Sequence, residues 1–72
     1  MTRTQIRLDT LTDVNKFIAA MTNLNEKVWL EDGEGCRTSA TSLLGVLYSL
    51  EWKSIFCYCE KDISGHLIPW TI

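Results

Sequence analysis

Two stripes of apolar residues, each spaced i, i+3, i+4 and i+7, limit what this chain can fold into. The first is Val14, Phe17, Ile18 and Met21; the second is Leu43, Val46, Leu47 and Leu50. That rhythm belongs to helices with one buried face. The segments around them alternate polar and apolar residues with a period of two, as half-buried strands do. Two amphipathic helices and a set of short strands satisfy each other when both helices cover one face of an antiparallel sheet. The expected class is therefore α+β.

The strand readings are Thr4–Asp9, with Ile6 and Leu8 on one face; Lys27–Glu31, with Val28 and Leu30 opposed to Trp29; Cys36–Ala40; and Ser54–Glu60. In the last, Ile55, Cys57 and Cys59 share one face and Phe56 and Tyr58 the other, because strand side chains alternate. Thr10 or Thr12 is placed to cap the first helix, and Thr10-Leu11-Thr12-Asp13 approximates a capping box with Asp in place of Glu. This helix ends near Asn23. Asp32-Gly33-Glu34-Gly35 is a turn with two glycines suited to positive φ. A second helix spans about Leu43 to Leu50. A last one spans Ile63 to about Trp70, capped by Asp62 and limited by Pro69. The expected order is β-α-β-β-α-β-α in one domain over residues 1–72, with the second sheet face left largely open.

A chain of 72 residues buries only about 60% of its unfolded surface, which leaves little room for a deep pocket. With 46% hydrophobic and 22% charged residues it reads as globular rather than disordered. The net charge of −2 and the lack of a Lys/Arg cluster argue against nucleic acid as a partner. No apolar run approaches the roughly 20 residues of a membrane span. Met1-Thr2-Arg3-Thr4-Gln5 has no apolar core behind a basic start, so no signal peptide is expected. The expectation is a cytoplasmic protein without a membrane partner.

Three cysteines, Cys36, Cys57 and Cys59, are too few and too odd in number for a disulfide framework. Cys57 and Cys59 read as small core hydrophobes. A metal set of Cys36, Cys57, Cys59 and His66 lacks the paired-ligand spacing of zinc folds, so no metal or other cofactor is expected. No Gly-rich phosphate loop or ordered Ser/His/Asp or Cys/His set is visible, and no enzymatic activity is expected. Trp29, Trp52 and Trp70 lie far apart in sequence, which favours dispersed packing over a shared ligand groove.

The run Thr41-Ser42-Leu43-Leu44-Gly45-Val46-Leu47-Tyr48-Ser49-Leu50 places a serine at the start of the second helix and a glycine three residues on. With Val28-Trp29-Leu30-Glu31 and the glycine turn before it, this run resembles HPr, the small phosphocarrier of the bacterial sugar phosphotransferase system. The resemblance covers roughly Val14 to Glu60. It implies an open-faced β-sandwich: a four-stranded antiparallel sheet with helices on one face. Thr41 stands where the family carries a basic residue, and the chain after the fourth strand is shortened. The family's carrier histidine lies in a His-Ala-Arg-Pro stretch after the first strand, and it passes phosphate from enzyme I to a sugar-specific enzyme II. At the matching place this chain has Asp9-Thr10-Leu11-Thr12-Asp13, with no histidine, arginine or proline. Thr10 and Thr12 mark a degenerate carrier region, and an unactivated hydroxyl is a poor phosphate relay.

The resemblance implies that Ser42 corresponds to the serine phosphorylated by HPr kinase/phosphorylase, whose product docks on a transcription regulator. Phosphate at a helix start would meet free N–H groups. Read from the residue alone, Ser42 is first an ordinary N-cap, a position worth about 1 kcal/mol over alanine. By periodicity Leu43 and Leu47 belong to the core stripe and Leu44 falls off it. In HPr the apolar residues at the start of this helix are exposed and dock partners, which makes Leu43, Leu44 and Leu47 the candidate docking residues. The functional expectation is a regulatory or adaptor protein of the phosphotransferase network that acts through the Ser42 helix. The alternatives are an unorthodox phosphocarrier and a module that self-associates through its open sheet and Trp29.

Overall fold

The computed structural model describes all 72 residues. In chain order it contains β1 (Thr2–Ile6), α1 (Leu11–Asn23), β2 (Val28–Glu31), β3 (Arg37–Ser39), α2 (Leu43–Ser49) and β4 (Ile55–Cys59). Two 3-10 turns follow, Ser64–His66 and Ile68–Trp70. The class is α+β, with two helices and one open antiparallel sheet of order β1-β4-β2-β3.

Register fixes which side chains share a face. Thr2, Thr4 and Ile6 of β1 lie opposite Cys59, Cys57 and Ile55 of β4. Val28 and Leu30 of β2 lie opposite the same Cys59 and Cys57 from the other side. These positions form the inner face, and all but the half-buried Thr4 are buried. Val14, Phe17 and Met21 of α1 and Val46 of α2 complete the core against it, which places both helices on one face. The outer face carries Arg3, Gln5, Trp29, Glu31, Phe56 and Tyr58.

The α1 stripe and its cap follow the sequence. The Thr10 hydroxyl accepts from the Asp13 N–H at 3.1 Å, and the Asp13 carboxylate accepts from the Thr10 N–H at 3.3 Å. The same Asp13 oxygen also accepts from the Asp9 N–H at 3.2 Å. These bonds divert the chain after Ile6, so β1 is Thr2–Ile6 rather than Thr4–Asp9. Leu8 is buried from the connecting segment, not from the strand.

The expected helix from Ile63 to about Trp70 is not α-helical. Pro69 has no N–H to bond the carbonyl four residues back, and Gly65 adds backbone entropy to any helix there. The Asp62 carboxylate instead accepts from the Ser64 N–H and hydroxyl at 3.0 and 2.7 Å, which holds Asp62 below its ordinary value of 3.8. The two short turns seat Ile63, Leu67 and Trp70 in the core. The end of the chain then covers the β1 edge: the Arg7 N–H donates to the Trp70 carbonyl at 2.8 Å, and Ile6 bridges to Thr71. Thr2 ties the same region down from the other end. Its hydroxyl accepts from the Ile63 N–H at 2.8 Å and donates to the Lys61 carbonyl at 3.0 Å.

The α2 stripe departs from its periodicity. Val46 and Ser49 are buried, while Leu43, Leu47 and Leu50 are 48%, 36% and 40% exposed. The helix turns its Gly45 side to β3, and the Ser39 carbonyl lies only 3.2 Å from where a Gly45 Cβ would stand. Ser49 is tolerated in the core because its hydroxyl donates to the Val46 carbonyl at 2.6 Å.

Candidate interaction surface

Roll of α2 toward its glycine decides the character of the surface. With Gly45, Val46 and Ser49 inward, the leucines point away from the core. Leu44 is 80% exposed and Tyr48 57%. No residue from Thr38 to Leu50 carries a charge, so this patch offers leucine, tyrosine and small hydroxyl side chains only. Its far end is closed by Trp52, which packs edge-on to Tyr48 with ring centroids 5.9 Å apart. The candidate docking residues Leu43, Leu44 and Leu47 are thus brought onto one accessible helix surface. Ser42 sits beside them, exposed, and its hydroxyl accepts from the Gly45 N–H at 3.2 Å. Ser42 is therefore the N-cap of α2.

The region of Thr10 and Thr12 forms the start of α1. The Thr10 hydroxyl is engaged as the α1 cap, Thr12 is exposed, and Asp9 and Asp13 flank them with negative charge. Asp9 is paired with Arg7 at 2.7 Å. The single histidine, His66, lies exposed in the first 3-10 turn.

The cysteines do not converge. Cys57 and Cys59 are buried on the inner face of β4, whereas Cys36 is exposed after the hairpin turn. No group of three or more His, Cys, Asp or Glu side chains is arranged to hold a metal ion. Burial pushes the Cys57 thiol up to about 12, with a smaller contribution from Cys59. A hydrogen bond to the Asp32 carboxylate, and its charge, also raise Cys36. Titration of the native protein with a disulfide reagent at pH 8 is expected to modify Cys36 slowly and leave the other two intact until denaturant is added. Rapid reaction of two or three thiols in the native state would contradict this packing.

The tryptophans are dispersed. Trp29 lies on the outer sheet face beside Tyr58, with centroids 5.6 Å apart, and Trp70 meets Phe17 edge-on in the core at 5.3 Å. The outer face is more organised than the sequence reading anticipated. Glu31 receives two arginines from opposite sides: Arg3 at 3.5 Å, and Arg37 at 2.5 Å with a second bond at 3.1 Å. The Arg3 guanidinium lies 4.2 Å from the Phe56 ring centre, and that of Arg37 lies 5.2 and 5.5 Å from Trp29 and Tyr58. The alternation of Arg3 with Gln5, Trp29 with Glu31 and Phe56 with Tyr58 was the available signal. The cross-strand register that unites them was not.

No helix is long and apolar enough to cross a membrane. The chain matches no protein-family model, no curated protein and no solved structure in comparisons with each.

Proposed function

We propose that this chain is a histidine-less HPr-like domain, an open-faced β-sandwich that acts as a regulatory or adaptor protein through α2. The observation that carries the reading is the exposure of Leu43, Leu44 and Leu47 beside an exposed Ser42, in a stretch of chain without charge. An apolar, uncharged patch of this kind suits the centre of a protein–protein contact, where charged residues are depleted. The four-stranded antiparallel sheet with both helices on one face supports the resemblance at the level of architecture. The carrier step itself is disfavoured: the hydroxyl of Thr10 is committed to its cap, and the neighbouring Asp9 and Asp13 carboxylates would repel a phosphate. The protein partners under this reading are HPr kinase/phosphorylase, a transcription regulator or other phosphotransferase components, in a bacterial cytoplasm.

Intact-mass measurement in two reactions tests it. With HPr kinase and ATP, one added phosphate is expected, and Ser42→Ala abolishes it. With enzyme I and phosphoenolpyruvate, no added mass is expected. A phosphate acquired from enzyme I would replace this reading with that of an unorthodox carrier. Absence of phosphate in both reactions, together with no partner affinity lost on Leu44→Glu, would reject the Ser42 helix as the working surface.

A further inference from the structure

The accessible side of α2 is large enough to be half of an interface. Leu43, Leu44, Leu47, Tyr48 and Leu50, on the helix and its C-cap, are 36–80% exposed. A fully exposed side chain of this size offers about 150–200 Å², so the five together leave about 400–500 Å² of mostly apolar surface in water. A standard interface takes about 800 Å² from each partner, and between identical subunits about 65% of it is apolar, or about 520 Å². This one short helix supplies most of that apolar share.

Two features of the helix suit a second copy of itself. The first is its relief. Leu43 with Leu47, and Leu44 with Tyr48, form two neighbouring ridges of spacing i, i+4, with a groove between them. Packing such ridges into such grooves uses the same rows on both helices and crosses them at about −50°, the commonest arrangement of helix pairs in globular proteins. A two-fold axis over the groove therefore matches the helix to itself. The second feature is charge. The chain carries −2, so two copies repel, yet Thr38 to Leu50 contains no charged residue. Two copies of α2 meet without bringing like charges of their own together. The same lack of charge removes the means by which a surface selects an unlike partner through electrostatic complementarity.

We propose that the chain forms a symmetric dimer in which α2 packs across α2 of a second copy, with Leu44 at the centre and Leu43, Leu47, Tyr48 and Leu50 around it. This contact differs from self-association through the open sheet and Trp29. It rests on the same leucine exposure as the adaptor reading, names an occupant for that surface, and does not depend on modification of Ser42. A second copy and a regulatory partner compete for the same side chains. The interface is at the small end of those that hold stable complexes, so association in the micromolar range is expected.

Sedimentation equilibrium between about 1 and 300 μM tests this. The mass is expected to rise from 8.2 kDa to twice that value. Leu44→Glu places a carboxylate at the two-fold axis from both chains, so one substitution acts twice, and association is expected to weaken by at least about 100-fold. Leu44 is so exposed that the monomer fold is kept, which circular dichroism checks. Leu44→Ser, expected to weaken association about tenfold, keeps the test readable if the glutamate variant misfolds. Trp29→Leu, on the outer sheet face, is expected to leave the mass unchanged. Between about 0.05 and 0.5 M salt the dissociation constant is expected to change less than about threefold, because no ion pair holds the contact. A monomer throughout the range overturns the proposal and leaves the adaptor reading to its own test. A dimer that persists in Leu44→Glu, dissociates in Trp29→Leu or disappears at high salt also overturns it. A dimer that behaves as described, in a protein that takes up no phosphate from HPr kinase, supports the proposal and counts against regulation through Ser42.

Discussion

Trp70→Ala is expected to remove a large fraction of the protein's stability. The indole is 8% exposed and meets Phe17 edge-on, with ring centroids 5.3 Å apart and planes at 89°. Phe17 itself is wholly buried at the centre of the core. Removal of a buried Trp side chain costs about 3–5 kcal/mol, the lost transfer energy plus the cavity. A domain of this length has roughly 4–11 kcal/mol in total. The loss does not stop at packing. The Trp70 carbonyl accepts from the Arg7 N–H, and the next residue bridges to Ile6, so loosening this turn also exposes the β1 edge. Urea denaturation followed by far-ultraviolet circular dichroism reads the effect. The expected midpoint falls to a fraction of the wild-type value, and Trp70→Phe, which keeps an aromatic edge against Phe17, recovers part of it. A Trp70→Ala midpoint within error of wild type would show that the C-terminal turns are not part of the cooperative unit.

That dependence on the last residues was only half legible. Ile63, Leu67 and Trp70 have helical spacing, and the sequence reading put them in a helix; the structure buries the same three side chains from two 3-10 turns. Burial of these three was legible from their common face, not from apolar chemistry alone, since Ile68 in the same stretch is 71% exposed. Backbone form was not, because Pro69 and the Asp62–Ser64 bonds act within a few residues and compete with the apolar rhythm. By contrast α1 was legible to the level of its cap, since Thr10, Asp13 and the 14/17/21 stripe all specify one structure. The inner and outer faces of β2 and β4 were also legible, because strict alternation leaves one choice.

The arginine–aromatic layer was not legible in the same way. It joins Arg3, Trp29, Glu31, Arg37, Phe56 and Tyr58 from four strands, and no local pattern encodes the register between strands distant in sequence. The α2 surface failed for a different reason. Periodicity gave four apolar residues to the core, and three of them are substantially exposed, because periodicity ignores how close a helix can approach. Glycine at position 45 lets α2 approach on a side that the leucines do not occupy. The exposure of Leu43 and Leu47 is therefore a consequence of one missing Cβ, whereas Leu44 lies off the stripe and is exposed in either case.

Gly45→Ala tests that consequence directly, and the two opposing effects can be weighed. Within a helix alanine is favoured over glycine by about 1 kcal/mol, and Gly45 does not have a positive φ that would forbid it. Against this, the new methyl would overlap the Thr38 Oγ1 and lie 3.2 Å from the Ser39 carbonyl and 3.4 Å from the Ser42 Cβ. The carbonyl belongs to β3 and cannot rotate aside, and the β-branched Thr38 has few χ1 alternatives. Overpacking of this kind costs about 1–3 kcal/mol, so sterics outweigh propensity and the net change is destabilising. The overlap with Thr38 Oγ1 puts the cost at the upper end, for a net loss of about 2 kcal/mol; at roughly 4–8 °C per kcal/mol for a domain of this size, the melting temperature is expected to fall by about 8–16 °C. Thr38→Ala removes the first obstacle. In a double-mutant cycle the pair is expected to be less destabilised than the sum of the single variants, with a coupling of about 1 kcal/mol. If Gly45→Ala were neutral or stabilising, α2 would not be seated against β3 as described. The outward set of Leu43, Leu44 and Leu47, and with it the adaptor surface, would then lose its physical basis.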